Sequence, residues 1–328
     1  MGEGVLKVCE YNVENLFISM DYYDGQDLRS ISENEWKTLA LAQLQRKQKP
    51  LSKLWGVAKA VLDINPDVLM LAEVGGQDSL ENFNRYFLND QYVPYFVAGN
   101  SRRSIDLGFL VKKDLPFRVE AVSNKETPIE VQAYQGKYTA KFSRDVAELR
   151  LHDEQGLQFI LLLVHLKSKI SSDQDFRGTD VRTAEAHALA EFYARARGNF
   201  PEVPIILGGD FNAPLGSSEF DLLNESDLAD LHELLGTPED ARYSLIFFDY
   251  YKTAHAEALD YLLLSPHLHD RVVPERSGTY RYKGFYDIPH DPPKDRNERY
   301  LMPSDHYPVY VSVSLNAKEP FLQVGPAF

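Results

Sequence analysis

The chain is poor in cysteine, in positive charge and in long apolar runs. A single cysteine, Cys9, stands in 328 residues. It cannot close an internal disulfide, and it cannot supply the several thiolates of a structural zinc site. It lies within an apolar run, the setting of a buried core thiol. Lys and Arg number 35 against 49 Asp and Glu, a formal charge of −14. That balance excludes a globally basic, nucleic-acid-coating protein, because the field of the whole molecule repels a polyanion. An anionic substrate must then be met by a local basic patch or by metal ions. No apolar run approaches the roughly 20 residues that cross a bilayer as a helix, so no transmembrane segment is expected. No basic segment followed by an apolar stretch opens the chain. The expectation is a cytoplasmic protein, although a start at Met1-Gly2 is also compatible with a trimmed secretion signal.

What is present belongs to a globular protein. Hydrophobic residues make up 44% and charged residues 26%, which argues against disorder as the main state. Short apolar runs rich in Val, Ile, Leu and Tyr recur at Val5–Tyr11, Asp67–Ala72, Leu107–Val111, Val146–Leu151, Gln158–His165, Pro204–Leu207, Asp260–Leu264 and Tyr307–Leu315. Their length and content predict strands. Helical spacing predicts helices over Leu51–Ile64, Ser79–Leu88 and Thr179–Arg197. Asp153-Glu154-Gln155-Gly156 reads as a hairpin turn. Strands and helices do not alternate strictly, so the sheets are expected to be mixed. Two sheets packed together with helices outside would bury this many apolar strands. No linker interrupts the pattern, and residues 1–328 are expected to form one domain and to act as a monomer.

The informative signal is where polar residues fall. Val5–Tyr11 runs into Asn12 and Glu14, Asp67–Ala72 into Glu73, Gln158–Val164 into His165 and Lys167, and Pro204–Gly209 into Asp210 and Asn212. Two other strands are preceded by polar groups: Asp260 before Tyr261–Leu264, and Asp305-His306 before Tyr307–Leu315. In a mixed sheet, strand ends of one direction and strand starts of the other share a rim. Asn12, Glu73, His165, Asp210, Asn212, Asp260, Asp305 and His306 are therefore expected to converge. Singly, each has an ordinary explanation: a turn residue, a helix cap, a satisfied core histidine or an edge charge. Jointly, carboxylate and amide oxygens suit Mg2+ or Mn2+. Histidines beside them suit metal-assisted hydrolysis of a phosphate ester.

The strings that hold these residues resemble the endonuclease/exonuclease/phosphatase superfamily, the DNase I-like phosphohydrolases. They are Tyr11-Asn12-Val13-Glu14-Asn15, Leu71-Ala72-Glu73-Val74, His165-Leu166-Lys167-Ser168, Gly208-Gly209-Asp210-Phe211-Asn212, Leu259-Asp260-Tyr261 and Ser304-Asp305-His306-Tyr307-Pro308-Val309. All six follow the family's order. The resemblance implies a four-layered α/β/β/α sandwich of α+β class, with two mixed sheets face to face. It implies Mg2+ or Mn2+ held by Glu73, with Asn12 and Asp305 near it and Glu14 joining the shell. It implies Asp210 as the group that activates water, with Asn212 and His165 on the scissile phosphate. His306, oriented by Asp260, would stabilise the transition state. Val74 departs from the glutamine usual after the motif-two glutamate. Arg103 and Lys167 are candidates for substrate contact, with solvated surface ion pairs as the alternative.

Substrate choice stays open at this level. A phosphodiesterase of nuclease type is expected, acting on a phosphate ester that includes nucleic acid among its forms. The alternative in the same chemistry is a phosphomonoesterase acting on a lipid headgroup or small molecule, and a different class is a silent binding protein. The segment Ser277–Met302 interleaves Tyr280, Arg281, Tyr282, Arg296, Arg299 and Tyr300. It reads either as a surface that stacks bases or as a packing loop.

Overall fold

The structure is a computed structural model, and it describes residues 4–40, 48–170, 175–282 and 291–315. Two six-stranded sheets form its centre. In the first, Val5–Leu16 lies between Val309–Ser314, which runs antiparallel, and Val68–Val74, which runs parallel. Asp106–Lys112 and then Tyr92–Val97 continue beyond Val68–Val74. In the second, Ile205–Asp210 lies between antiparallel Asp260–Leu264 and parallel Gly156–His165. Val146–Asp153 and Arg118–Ser123 extend that sheet. The two centres match: each has a parallel pair flanked by an antiparallel strand.

Three apolar layers show how the sheets stack. Leu6, Val8, Met70 and Phe109 of the first sheet pack with Leu149, Leu161, Ile206 and Leu262 of the second. Cys9, Tyr11, Leu69 and Leu71 point the other way, onto helices Leu51–Ile64 and Gln77–Phe87. Ile160, Leu162, Ile205 and Leu207 face helix Thr179–Asn199 across the second sheet. Three buried interfaces between four layers make the α/β/β/α sandwich that the strand pattern and the resemblance imply. The unbroken apolar run Phe159–Val164 follows directly, since both of its faces are covered.

Local signals account for several boundaries. Helix Leu51–Ile64 ends because Asn65 adopts the left-handed conformation (φ 52°) and donates its N–H to Val61 O. Asn tolerates this cap, and Pro66 blocks continuation. Strand Ile205–Asp210 needs Gly209, whose φ is +143° and where a Cβ would come within 1.9 Å of Val164 O. Val5–Leu16 runs five residues beyond the expected Tyr11, carried by pairing with its neighbours. Tyr92–Val97 is apolar but broken by Pro94, Leu245–Phe248 is only four residues long, and Pro128–Ala133/Gly136–Lys141 mixes polar with apolar residues, so none was among the expected strands.

Candidate active site

One rim of the sandwich receives the polar strand ends. In the second sheet, Asp210 is in register with both His165 and Asp260. In the first, Asn12 lies where Val5–Leu16 shifts register against Val68–Val74, Glu73 is next to last in that partner, and His306 precedes the antiparallel strand. The sheets meet across the rim. Asn12 Nδ2 donates to Asp210 Oδ2 at 3.0 Å, and His306 Nδ1 donates to Asp260 Oδ2 at 2.7 Å. All eight residues expected to converge are at this rim.

Asp210 is the hub. It is buried, its Oδ1 accepts from Asn212 N at 2.8 Å, and its Oδ2 lies 3.5 Å from His165 Nε2 and 3.9 Å from His306 Nε2. Burial pushes its carboxyl up to about 7, with Asp260 adding to the rise and His306 opposing it. Asn212 sits in the left-handed region (φ 56°), and its side chain donates to Leu166 O. This is an Asx-type turn that fixes the carboxylate.

His306 faces three carboxylates. Burial by itself lowers an imidazole's pKa, but Asp260, Asp210 and Asp305 together hold His306 well above its ordinary value. It is therefore an imidazolium with Nδ1 committed to Asp260. Ser244 Oγ donates to the same Asp260 oxygen at 2.6 Å and accepts from the Leu259 and Asp260 N–H groups. Ser304 Oγ takes the His306 N–H and donates to Asn12 O, tying the His306 turn to the neighbouring strand Val5–Leu16 of the same sheet. His165 is the opposite case. Burial, Arg144 and His306 lower its pKa well below normal, so it is neutral, and its Nδ1 has no hydrogen-bond partner.

The residues expected around a metal form a second group. Glu73, at φ 65°, accepts Asn15 N on Oε2 at 2.9 Å. Burial and the nearby Asp305 carboxylate raise its pKa, with His306 and Arg103 opposing. Asp305 accepts Arg299 on Oδ2 at 2.8 Å. Burial works against its charge, but His306, Arg299 and Lys49 outweigh it and keep its pKa low. Glu73, whose ionisation Asp305 opposes, makes with Asp305 and the Asn12 amide a hard-oxygen set that a divalent cation would relieve. The residues fit Mg2+ or Mn2+. Asp210, Asp260 and His306 also bring ligand atoms within 4.8 Å of one another. There His306 Nδ1 is committed to Asp260, and Asp210 and Asp260 hold the remaining ligand atoms. Glu14 is committed elsewhere: its carboxylate lies 2.7 Å from Lys53 Nζ and 3.7 Å from the buried Lys49 Nζ.

Arg103 donates to Asn15 Oδ1 at 2.8 Å, one residue link from Glu73. Lys167 Nζ donates to Ser168 O and Ile170 O, beside rather than within the hub. The Ser277–Met302 segment is largely a packing element where it is described. Tyr282 is buried, shares a 2.5 Å hydrogen bond with Tyr11 and donates to His306 O. Arg281 lies over the Tyr243 ring at 3.6 Å. Its residues 283–290 lie outside the described part.

Sequence reasoning missed Ser244, which no motif marks, and Glu10. Glu10 lies on the inter-sheet face with Leu6, Val8 and Asn12, fully buried, with neither carboxyl oxygen hydrogen-bonded. Burial, Asp260 and Asp210 hold its pKa well up, so it keeps its proton. Arg144 brings a further cation close to the hub. It is buried, donates to Leu166 O, and its charge reaches Glu73 and Asp210.

Comparison with known proteins agrees with the fold. A family model described as the Endonuclease/Exonuclease/phosphatase family matches residues 25–306. Truncated Caenorhabditis elegans TDP2 is similar at 19% identity and a TM-score of 0.59, covering 94% of this chain and 97% of that one. The human Nocturnin catalytic domain with bound sulfate is similar at 15% identity and 0.58, covering 94% of each chain. A family protein from Bacteroides thetaiotaomicron is similar at 18% identity and 0.53, covering 96% and 97%. No curated protein sequence matches.

Proposed function

The chain belongs to the endonuclease/exonuclease/phosphatase family, and from that premise we propose that it is a divalent-metal-dependent hydrolase of phosphodiesters. One observation carries the reading. A buried carboxylate whose pKa is about 7, Asp210, stands 3.9 Å from an imidazolium, His306, that Asp260 holds in place. This is a base and an acid kept apart in pKa by their surroundings, as acid–base chemistry near neutral pH requires.

In this reading the ionised Asp210 accepts a proton from the attacking water. Asn12 and the Asn212 N–H fix the direction of its lone pairs. His306 Nε2–H donates to the phosphoryl oxygen on which charge grows, and Asp260 with Ser244 prevents the ring from turning. The neutral His165 offers a second hydrogen-bonding nitrogen. Glu73, Asp305 and Asn12 would hold a divalent cation, which when bound would neutralise charge on the phosphate. Donors aimed at developing charge in a dry site are the larger share of such catalysis.

The test is turnover of bis-p-nitrophenyl phosphate against p-nitrophenyl phosphate, with Mg2+, with Mn2+ and with chelator. Metal-dependent cleavage of the diester in preference to the monoester is expected. Preference for the monoester would replace the reading with a phosphomonoesterase, and no turnover of either would remove it.

A further inference from the structure

The outer helix Thr179–Asn199 buries Arg182, Glu185, Ala186, Leu189 and Tyr193, spaced as one helical face. Leu189 and Tyr193 pack against Ile160 and Ile205 of the second sheet. Arg182 and Glu185, at the other end of the stripe, are charged and only 3% and 0% exposed. Charges on a buried stripe cost folding energy unless they are bonded, and apolar side chains would pack there at least as well. What the two residues bond is therefore informative.

Both grip one residue of the loop that follows His165. Glu185 Oε2 accepts the Lys167 N–H at 2.6 Å, and Arg182 Nη1 donates to Lys167 O at 2.9 Å. Arg182 takes its carboxylate partner from Glu219, in two bonds of 2.7 and 2.8 Å. Glu185 is left for backbone: its Oε1 accepts the Ser143 N–H, next to Arg144. Burial lowers the Arg144 pKa, and Glu185 is foremost among the carboxylates that oppose this.

The Lys167 N–H and the Leu166 carbonyl belong to one planar trans peptide, so they point in opposite directions. Leu166 O accepts Asn212 Nδ2 at 3.1 Å and Arg144 Nη1 at 3.2 Å. Asn212 in turn gives its N–H to Asp210 Oδ1 at 2.8 Å. Fixing the N–H side of this peptide fixes the direction of its carbonyl, and that carbonyl anchors the turn that holds the Asp210 carboxylate.

We propose that Glu185 is a positioning residue of the site, acting on Asn212 and Asp210 through the Leu166–Lys167 peptide. The proposal rests on the phosphodiesterase reading above. A carboxylate suits the role because both of its arms accept, whereas an amide of the same shape has one accepting and one donating arm. In Glu185→Gln, either the Ser143 or the Lys167 N–H would face a donor.

The experiment compares Glu185→Gln with the unaltered protein by two readouts. The first is the NMR signal of the Asn212 side-chain amide in protein isotope-labelled at asparagine nitrogens, and it needs no turnover. Its loss in Asn212→Gly identifies the signal, since glycine accommodates the φ of 56° at that position. The signal should move in Glu185→Gln. It should stay in place in Tyr193→Phe, which removes the Tyr193–Asp227 hydrogen bond from the same helix. An unmoved signal in Glu185→Gln overturns the proposal, and so does an equal displacement in Tyr193→Phe, which would report a general loosening of the helix. The second readout is cleavage of bis-p-nitrophenyl phosphate with Mg2+. In Glu185→Gln, kcat should fall about 10–100-fold with KM within about two-fold, as misplacement of a reacting group from a distance does. Tyr193→Phe should lower Tm and leave kcat unchanged. An unchanged kcat in Glu185→Gln makes the residue structural only and overturns the proposal. Where the Gln protein does not fold, Glu185→Asp, a carboxylate one methylene too short to reach both N–H groups, carries the same two readouts. Absence of turnover by the unaltered protein removes the hydrolase reading, while the amide signal still decides whether Glu185 holds Asn212, so either can fail alone.

Discussion

His306 and Asp210 show one set of forces producing two outcomes. Both are buried, and burial disfavours charge in each. For His306 three surrounding carboxylates outweigh that penalty. For Asp210 a carboxylate neighbour adds to it, and only His306 and hydrogen bonds offset it. Removing either partner should therefore stop the chemistry. Asp210→Asn and His306→Ala should each lower kcat on a phosphodiester by about 10²–10⁴-fold with unchanged circular dichroism; near-full activity in either would refute its role. The acid limb of kcat/KM should fall below about pH 7, where Asp210 takes up its proton, and a bound cation should move that limb lower. His306 should stay charged across this limb. Stability without metal has the opposite slope. The folded Asp210 pKa exceeds its ordinary 3.8, so its contribution is best below about pH 4 and is lost as pH rises towards about 7. Asp210→Asn, measured in chelator at pH 8, should then melt higher than the parent; an equal or lower Tm would contradict this.

At the scale of elements, the site depends on where strands stop. Gly209 allows Ile205–Asp210 to pass Val164 O closely enough to deliver Asp210 opposite His165. Gly209→Ala should unfold the protein or cost more than about 3 kcal/mol, since both the left-handed φ and the contact oppose a Cβ; chemical denaturation would measure it. The hairpin Leu245–Phe248/Ala254–Glu257 contributes less visibly. It positions Ser244, and Leu245 bridges to His306. Ser244→Ala leaves Asp260 short of a donor and two N–H groups without their acceptor, a loss of about 1–3 kcal/mol. It should lower kcat more than it raises KM, because Ser244 acts through the Asp260–His306 pair. An unchanged kcat would make Ser244 structural only. The central strands were legible because doubly covered strands must be apolar throughout. Tyr92–Val97 was not, because Pro94 interrupts it and a proline marks an edge strand; Leu245–Phe248 is too short to read, and Pro128–Ala133/Gly136–Lys141 mixes polar with apolar residues.

The whole molecule carries its acidity in a patterned way. Glu73, Asp210, Asp260 and Asp305 bring carboxyl groups to one rim, while the adjoining groove, with Arg102, Arg103, Lys141, Arg144 and Lys167 in its wall, holds no Asp or Glu among the described residues. A ligand that binds only the folded state raises its stability by mass action. Mg2+ at about 100 times its dissociation constant should stabilise the protein by about 2.7 kcal/mol, seen as a rise in Tm. Glu73→Ala should abolish most of that rise, and a retained shift would place the metal elsewhere. Among the described residues no helix is long and apolar enough to cross a membrane.

Much of this was determined by sequence alone. The apolar runs dictated strands, and the placement of Asn12, Glu73, His165, Asp210, Asp260 and His306 at their ends dictated a common rim once the sheets were mixed. These signals are local: a strand's pattern and its terminal residue lie within ten positions of each other. Tertiary structure decided what depends on residues far apart in the chain. It joined Asn12 to Asp210, turned Glu14 to Lys49 and Lys53, buried Glu10 under the hub, and gathered the basic groove from three segments. Charge states and ion pairs depend on burial and on through-space distance, and neither is a property of neighbours along the chain.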